Sequence, residues 1–221
     1  TGDGTNPAVM ESAVRAIAAQ QGAGIPTVKP WGQDEVFRKL DLIRSSGACA
    51  VAMDVDAAGL PFLKNQTPPA GRKTVAELRE IIRYAQLPFI VKGIMTVRGA
   101  EKAVEAGASA IVVSNHGGRV LDQCPATAEV LPEIAAAVKG RATVLVDGGI
   151  RTGAAVFKAL ALGADAVIIA RPFVLSVYGG GAEGPGVLAA QLKAELEDAM
   201  TMCGAATLDR IDRAMVRPLP R

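Results

Sequence analysis

The chain has 221 residues, 50% of them hydrophobic, with 24 Lys and Arg against 22 Asp and Glu and a single histidine. A formal net charge of +2 with no clustered basic stretch argues against a nucleic-acid partner, and no apolar run approaches the ~18 residues a membrane helix needs. Three widely spaced cysteines, Cys49, Cys124 and Cys203, match no zinc or redox spacing and predict free thiols in a reducing cytoplasm, and no signal-peptide pattern opens the chain.

Short apolar runs alternate with longer amphipathic stretches, the rhythm of parallel βα units. A helix over about Pro7–Gln20 precedes a first strand, Gly24–Lys29. Val36, Phe37, Leu40 and Ile43 recur at helical spacing within Asp34–Ser45, and Ala48–Asp54 follows as a strand. Thr74, with Glu77 three residues on, marks the start of a helix over Val75–Tyr84, and the strand Pro88–Lys92 comes next. The helix Arg98–Ala106 ends at Gly107, a C-cap glycine, before the strand Ala110–Ser114. Helix Ala128–Val138, strand Thr143–Asp147, helix Gly153–Leu162, strand Ala166–Ala170 and helix Gly186–Cys203 complete the pattern. The strands are β-branched-rich and apolar on both faces, as strands buried in a parallel sheet are.

Nearly every strand ends in a chemically pointed residue: Asp54 and Asp56, Lys92, His116, Asp147, Arg171. The junctions at the other end carry mainly Ala and Gly. An open doubly wound sheet would gather its polar groups at one crevice, whereas polar residues at nearly all carboxyl ends predict a (β/α)8 TIM barrel. About six of the eight βα units are present, within one domain over 1–221. Phosphate loops in such barrels follow the last two strands. The glycine- and arginine-bearing loops here also follow the last two, so the two remaining strands are expected upstream of Thr1.

Asp147-Gly148-Gly149-Ile150-Arg151 leaves a strand and opens a helix. Paired glycines let backbone N–H groups approach an anion, the helix N-terminus adds positive partial charge, and Arg151 offers a planar fork. Ala170-Arg171-Pro172 supplies a second arginine at the next strand end. Together they predict a phosphate site, for a sugar phosphate, a nucleotide or a flavin mononucleotide. His116 lies just past its strand beside Gly117 and Gly118, with Arg119 three residues on. An imidazole is the natural general base near neutral pH, and a guanidinium grips a carboxylate bidentately. Lys92 closes a buried strand, where a cation stabilises developing negative charge. Asp54 and Asp56 are two apart and share a face if the strand persists, and either is able to orient His116.

These segments resemble the FMN-dependent α-hydroxy-acid dehydrogenases and oxidases, a family that includes glycolate oxidase, lactate oxidase and mandelate dehydrogenase. The resemblance runs from about Ile25 to the C-terminus. It rests on Val91-Lys92-Gly93-Ile94, Ser114 to Arg119, Asp147 to Arg151 and Arg171-Pro172, with a bacterial subgroup marked by Lys29-Pro30-Trp31 and Met53 to Leu60. It implies oxidation of a small 2-hydroxy acid to the 2-oxo acid, with FMN as cofactor, no metal, and a tetrameric or octameric homo-oligomer. By the same resemblance His116 is the base, Asp56 its partner, Arg119 the carboxylate grip and Lys92 the cation beside the flavin. Ser114 would sit close to the flavin ring, Asp147 would bind the ribityl chain, and Gly149, Arg151 and Arg171 would hold the phosphate. Thr27, Asp54, Gly148 and Ala170 complete the implied cofactor set.

The chain also departs from the family pattern. Thr27-Val28-Lys29 stands where the family reads Gln-Leu-Tyr, Asp54 replaces a threonine, and Ala170 replaces a glycine. A second substrate arginine is absent from Ala57–Leu63. Lys29 is therefore expected either to grip a second anionic group of the substrate or to pair with Asp54. These departures keep open a flavin-binding barrel that oxidises no hydroxy acid. Another FMN barrel, such as a type 2 isopentenyl-diphosphate isomerase, is disfavoured by the intact His-Gly-Gly-Arg.

Overall fold

In the computed structural model, residues 2–67 and 69–217 are described. Helix α1 (Pro7–Ala19) leads into β1 (Thr27–Val28), α2 (Gln33–Arg44), β2 (Val51–Asp54), α3 (Pro61–Lys64) and α4 (Val75–Ala85). Then follow β3 (Phe89–Ile94), α5 (Val97–Ala106), β4 (Ala110–Val113), α6 (Thr127–Val138), β5 (Thr143–Val146), α7 (Gly153–Ala161) and β6 (Ala166–Val167). Helices α8 (Arg171–Gly180) and α9 (Gly184–Cys203) come last. The strands form one six-stranded parallel sheet in chain order, β1 to β6. With its flanking helices this is a partial TIM barrel. No helix among the described residues is long and apolar enough to cross a membrane.

The period of two along each strand sorts the side chains into two layers. Val28, Met53, Val91, Ile111 and Val144 hold matching register positions and face outward into the main core, packed with helix residues such as Leu40, Ile81, Ala103 and Ile134. The alternate positions face inward, where Ala50, Ala52, Ile90, Ala110 and Val112 form a separate small cluster. Two residues further along this inner face, apolar side chains give way to polar ones. Ala52 is followed by Asp54, Ile90 by Lys92, Val112 by Ser114 and Leu145 by Asp147. The apolar rows lock the sheet, and the polar row rims one end of it.

The helix signals behave as the sequence predicts. Thr74 Oγ1 accepts from Glu77 N at 3.2 Å and Glu77 Oε2 accepts from Thr74 N at 2.7 Å, a capping box. Gly107 closes α5 at φ 102°. The strands are shorter than expected except β3, which runs on past Lys92 to Ile94. At β1 the run Gly24–Lys29 is a strand only over Thr27–Val28: Pro26 has no N–H to donate to a ladder, although its O accepts from Ala52 N at 2.9 Å, and the Lys29 N–H goes to Asp3 instead. At β6 the expected strand to Ala170 ends at Val167, although Ile168 N still donates to Val146 O at 2.8 Å. Ala170 leaves extended geometry at φ −108°, ψ −76°, and Arg171 starts α8 with Pro172 in its first turn. That helix was not expected, although proline in a first turn is a helix-start signal.

The segment before α1 is tied to the first βα unit by one buried carboxylate. Asp3 accepts from Lys29 N at 2.9 Å and from Trp31 Nε1 at 2.7 Å, and it forms an ion pair with the buried Lys39. Removing one member of such a pair costs about 3–5 kcal/mol, because the other charge is left buried alone.

Candidate active site

The polar rim brings together residues from five successive strand ends. Lys92 is its centre: Nζ donates to Ser114 Oγ at 3.1 Å and stands 3.4 Å from both Asp54 Oδ1 and Asp147 Oδ2. Burial alone would depress the Lys92 ammonium, but Asp54, Asp147 and Asp56 outweigh it and hold the group above the usual lysine range. Burial likewise pushes the Asp54 carboxyl up, and Lys92 and Lys29 outweigh that and hold it below the usual aspartate range. Of the two roles open to Lys29, the structure brings its ammonium onto Asp54 Oδ2. Thr27 lies two residues before it, half-buried on the same inner face.

Asp54 and Asp56 do not share a strand face. The strand stops at Asp54 and a 3₁₀ turn over Val55–Gly59 carries Asp56 away, so the two carboxylates serve different partners. Asp56 Oδ1 lies 3.0 Å from His116 Nδ1 in a contact whose side chains are 8% and 9% exposed. In the tautomer with its proton on Nδ1, facing Asp56, the ring has its Nε2 lone pair open to accept a proton. The donor atoms of Asp54, Asp56 and His116 all lie within 4.8 Å of one another, a spacing a cation could bridge. Two ammonium groups already stand on Asp54, so added positive charge is opposed there.

The loop bearing His116 is unusually left-handed. His116, Gly117 and Gly118 have φ of 57°, 67° and 79° in succession. A non-glycine residue there costs about 1–2 kcal/mol, and such strain gathers at functional sites. Ser114 Oγ also accepts from His116 N at 3.1 Å, and Asn115 Oδ1 accepts from Gly118 N at 3.2 Å while its Nδ2 donates to Pro125 O at 3.2 Å. Arg119 is exposed, and its Nε donates to His116 O at 3.1 Å. Its terminal nitrogens carry no hydrogen bond or ion pair among the described residues.

Sequence reasoning missed Gly93. The β3–β4 register slips between Lys92 and Ile94, a bulge, and Gly93 sits in it at φ 103°. A Cβ built there would lie 2.5 Å from Asp56 Cβ and 2.9 Å from Asp56 N. The bare glycine is what lets the Asp56 turn come close beneath His116. A glycine inside an apolar strand signals a bulge or a close backbone approach, so the cue was present.

At the other side of the rim, Gly148 and Gly149 follow Asp147 at φ 92° and 76°, and a Cβ on Gly149 would meet nothing within 4 Å. Thr127 Oγ1 steadies the turn by donating to Asp147 O at 2.7 Å. Arg151 is exposed and bonds its own loop through Ile150 O at 2.8 Å. Arg171 extends from the start of α8 toward the His116 loop, where its guanidinium lies 3.1 Å from where a Gly117 Cβ would sit. The two arginines thus stand apart, Arg151 in the loop before α7 and Arg171 at the first residue of α8.

Three buried carboxylate oxygens on this rim, Asp54 Oδ1, Asp56 Oδ2 and Asp147 Oδ1, have no hydrogen-bond partner among the described residues. Buried acceptors call for donors, and with a central ammonium, an open glycine turn and nearby guanidiniums they describe a site for a ligand rich in hydroxyl or N–H groups that carries an anion. A flavin mononucleotide has ribityl hydroxyls, an imide N–H and a phosphate, and these residues fit it.

A family model described as FMN-dependent dehydrogenase matches residues 44–218. Similar curated proteins include a peroxisomal (S)-2-hydroxyacid oxidase of Arabidopsis thaliana, 50% identical over 145 residues, which are 66% of this chain and 39% of that protein. An L-lactate oxidase of Lactobacillus jensenii is 44% identical over 155 residues, 70% of this chain and 37% of that one. Among solved structures, mandelate oxidase with (S)-2-phenylpropionate superposes at a TM-score of 0.77 with 35% identity, covering 90% of this chain and 64% of that chain. The chain thus spans about two fifths of the length of these two curated relatives.

Proposed function

The chain belongs to the FMN-dependent dehydrogenase family, and from that membership we propose that the protein oxidises a small 2-hydroxy acid to the 2-oxo acid at the rim around His116. The observation that carries the proposal is the His116 Nδ1 contact with Asp56 Oδ1 at 3.0 Å, which leaves Nε2 as the base. Arg119 takes the substrate carboxylate with its terminal nitrogens. His116 Nε2 then accepts a proton, from the hydroxyl or from the α-carbon, and Asp56 stabilises the imidazolium that results. When bound, FMN supplies the two-electron sink.

Lys92 holds positive charge beside the cofactor, Ser114 and Asp147 line its path, and Thr27 and Asp54 border it. Gly148, Gly149, Arg151, Ala170 and Arg171 are the residues assigned to its phosphate end. The whole chain is read as one barrel-type domain. Its three free cysteines support a reducing compartment such as the cytoplasm, and a homo-oligomer follows from the family resemblance.

The test uses the full-length protein. Added lactate, glycolate or mandelate bleaches the flavin absorbance anaerobically, and His116→Ala keeps the flavin but loses the bleaching. A protein that stays colourless after reconstitution with FMN sinks the flavin reading. Loss of flavin in His116→Ala removes His116 from the role of base. A flavin-binding barrel without hydroxy-acid oxidation is the second reading, favoured by the Lys29–Asp54 pair where the family carries tyrosine and threonine. It prevails if a broad panel of hydroxy acids never bleaches a bound flavin.

A further inference from the structure

Proton transfer by His116 makes no use of the Lys29–Asp54 pair, although the pair stands on the same rim. We propose that Lys29 is the nearer of the two counter-ions of Asp54, and that by sharing this carboxylate it keeps Lys92 from being drawn wholly onto it, so that Lys92 still acts on the bound cofactor. Lys29 is then a positioning residue that sets the reduction potential of the flavin through Asp54 and Lys92. The inference rests on the flavin reading above.

The three side chains lie at one level of the inner face. Asp54 and Lys92 are register partners, and Lys29 follows Val28, the partner of Met53. Lys29 is fixed at both ends, its N–H donating to Asp3 at 2.9 Å and its ammonium paired with Asp54. Asp54 gives its Oδ2 to the hydrogen bond with Lys29, and its Oδ1 stands 3.4 Å from Lys92 in a looser ion pair. Lys92 gives its own hydrogen bond to Ser114 and stays as far from Asp147 as from Asp54.

Without the Lys29 cation, a carboxylate that is 7% exposed loses its bonded partner. The nearest remaining cation is Lys92, so Asp54 would draw that ammonium away from Ser114 and Asp147. The rim would also lose one positive charge. Both changes oppose placing electrons on a group bound there. Removing the Asp54 charge instead acts in the opposite direction, and removing both restores the balance.

The experiment measures the reduction potential of bound FMN, by equilibration with a reference dye, in the full-length protein and in Lys29→Met, Asp54→Asn and the double variant. Lys29→Met is expected to shift the potential negative, Asp54→Asn to shift it positive, and the double variant to return close to the parent. A pair that only stabilises the fold would lower the melting temperature without opposed shifts in potential. An unchanged potential in Lys29→Met, or single variants that move the same way, overturns the proposal. If Lys29→Met does not fold, Asp54→Asn decides alone: a potential that fails to rise overturns it. A parent that binds no FMN overturns the functional reading and this inference together, whereas a flavin-loaded parent with unopposed shifts overturns this inference only.

Discussion

Gly93→Ala is expected to disable the active site from a position that touches no substrate. The new Cβ would lie 2.5 Å from Asp56 Cβ, 2.6 Å from Asp56 Cγ and 2.9 Å from the Asp56 backbone N. Unstrained carbons approach to about 3.5 Å, so Asp56 or the strand must withdraw by ~1 Å. Because the clash involves the Asp56 main chain as well as its side chain, a rotamer change does not relieve it. The Asp56 Oδ1 contact with His116 Nδ1, now 3.0 Å, would open beyond hydrogen-bonding reach. Backbone strain adds to this, since alanine at φ 103° costs on the order of 1–2 kcal/mol.

A ~1 Å displacement of a catalytic arrangement lowers the chemical step by on the order of 10²-fold. Anaerobic stopped-flow reduction of the full-length flavoprotein measures that step, with the absorbance spectrum reporting whether flavin is retained. A reduction rate within about threefold of the parent, in a variant that holds its flavin, would refute the claim that Gly93 positions the His116–Asp56 pair.

Arg119→Lys is expected to raise the KM for a hydroxy acid by about tenfold or more with a smaller effect on flavin binding, because lysine lacks the bidentate fork. Unchanged kinetics would remove Arg119 from the substrate site. The charges on the rim also predict a pH dependence of stability. Asp54 is held below its ordinary range, so its contribution is full at neutral pH and is lost as pH falls below that range toward the lowered folded value. Lys92 is held above its ordinary range, so its contribution is lost only as pH rises past that range through the raised folded value. Melting temperatures across the acid limb should therefore fall less steeply in Asp54→Asn than in the parent, and identical slopes would show that Asp54 does not carry this dependence.

Much of the architecture was legible in the chain itself, because strand periodicity and helix caps are local. Five of the six strands lie within the expected runs, β3 runs past its expected end at Lys92 to Ile94, and Thr74 with Glu77 and Gly107 bound their helices as the sequence implies. The polar rim was legible too, since parity along a strand decides which residues share its inner face. What local pattern does not reveal is where a turn begins. Asp56 looked like a same-face neighbour of Asp54 until the 3₁₀ turn redirected it to His116. Arg171 looked like the end of a strand, and instead it opens a helix and reaches the Gly117 turn. Gly93 was quoted within a motif, yet its role depends on a bulge against a turn 37 positions earlier in the chain, at Asp56.

The chain-order sheet also bears on how this protein is made. Each strand pairs only with the strands beside it in sequence, so loop closure is met one βα unit at a time. A sheet of this kind is able to grow one strand at a time while the chain is still emerging. The ends of β1, β2 and β3 then deliver Lys29, Asp54 and Lys92 in turn, with Ser114 and Asp147 following after β4 and β5. Positive and negative groups alternate in order of arrival, with a neutral hydroxyl between the last two. From β1 to β5, growth of the wall therefore sets no like charges among these residues on adjacent strand ends.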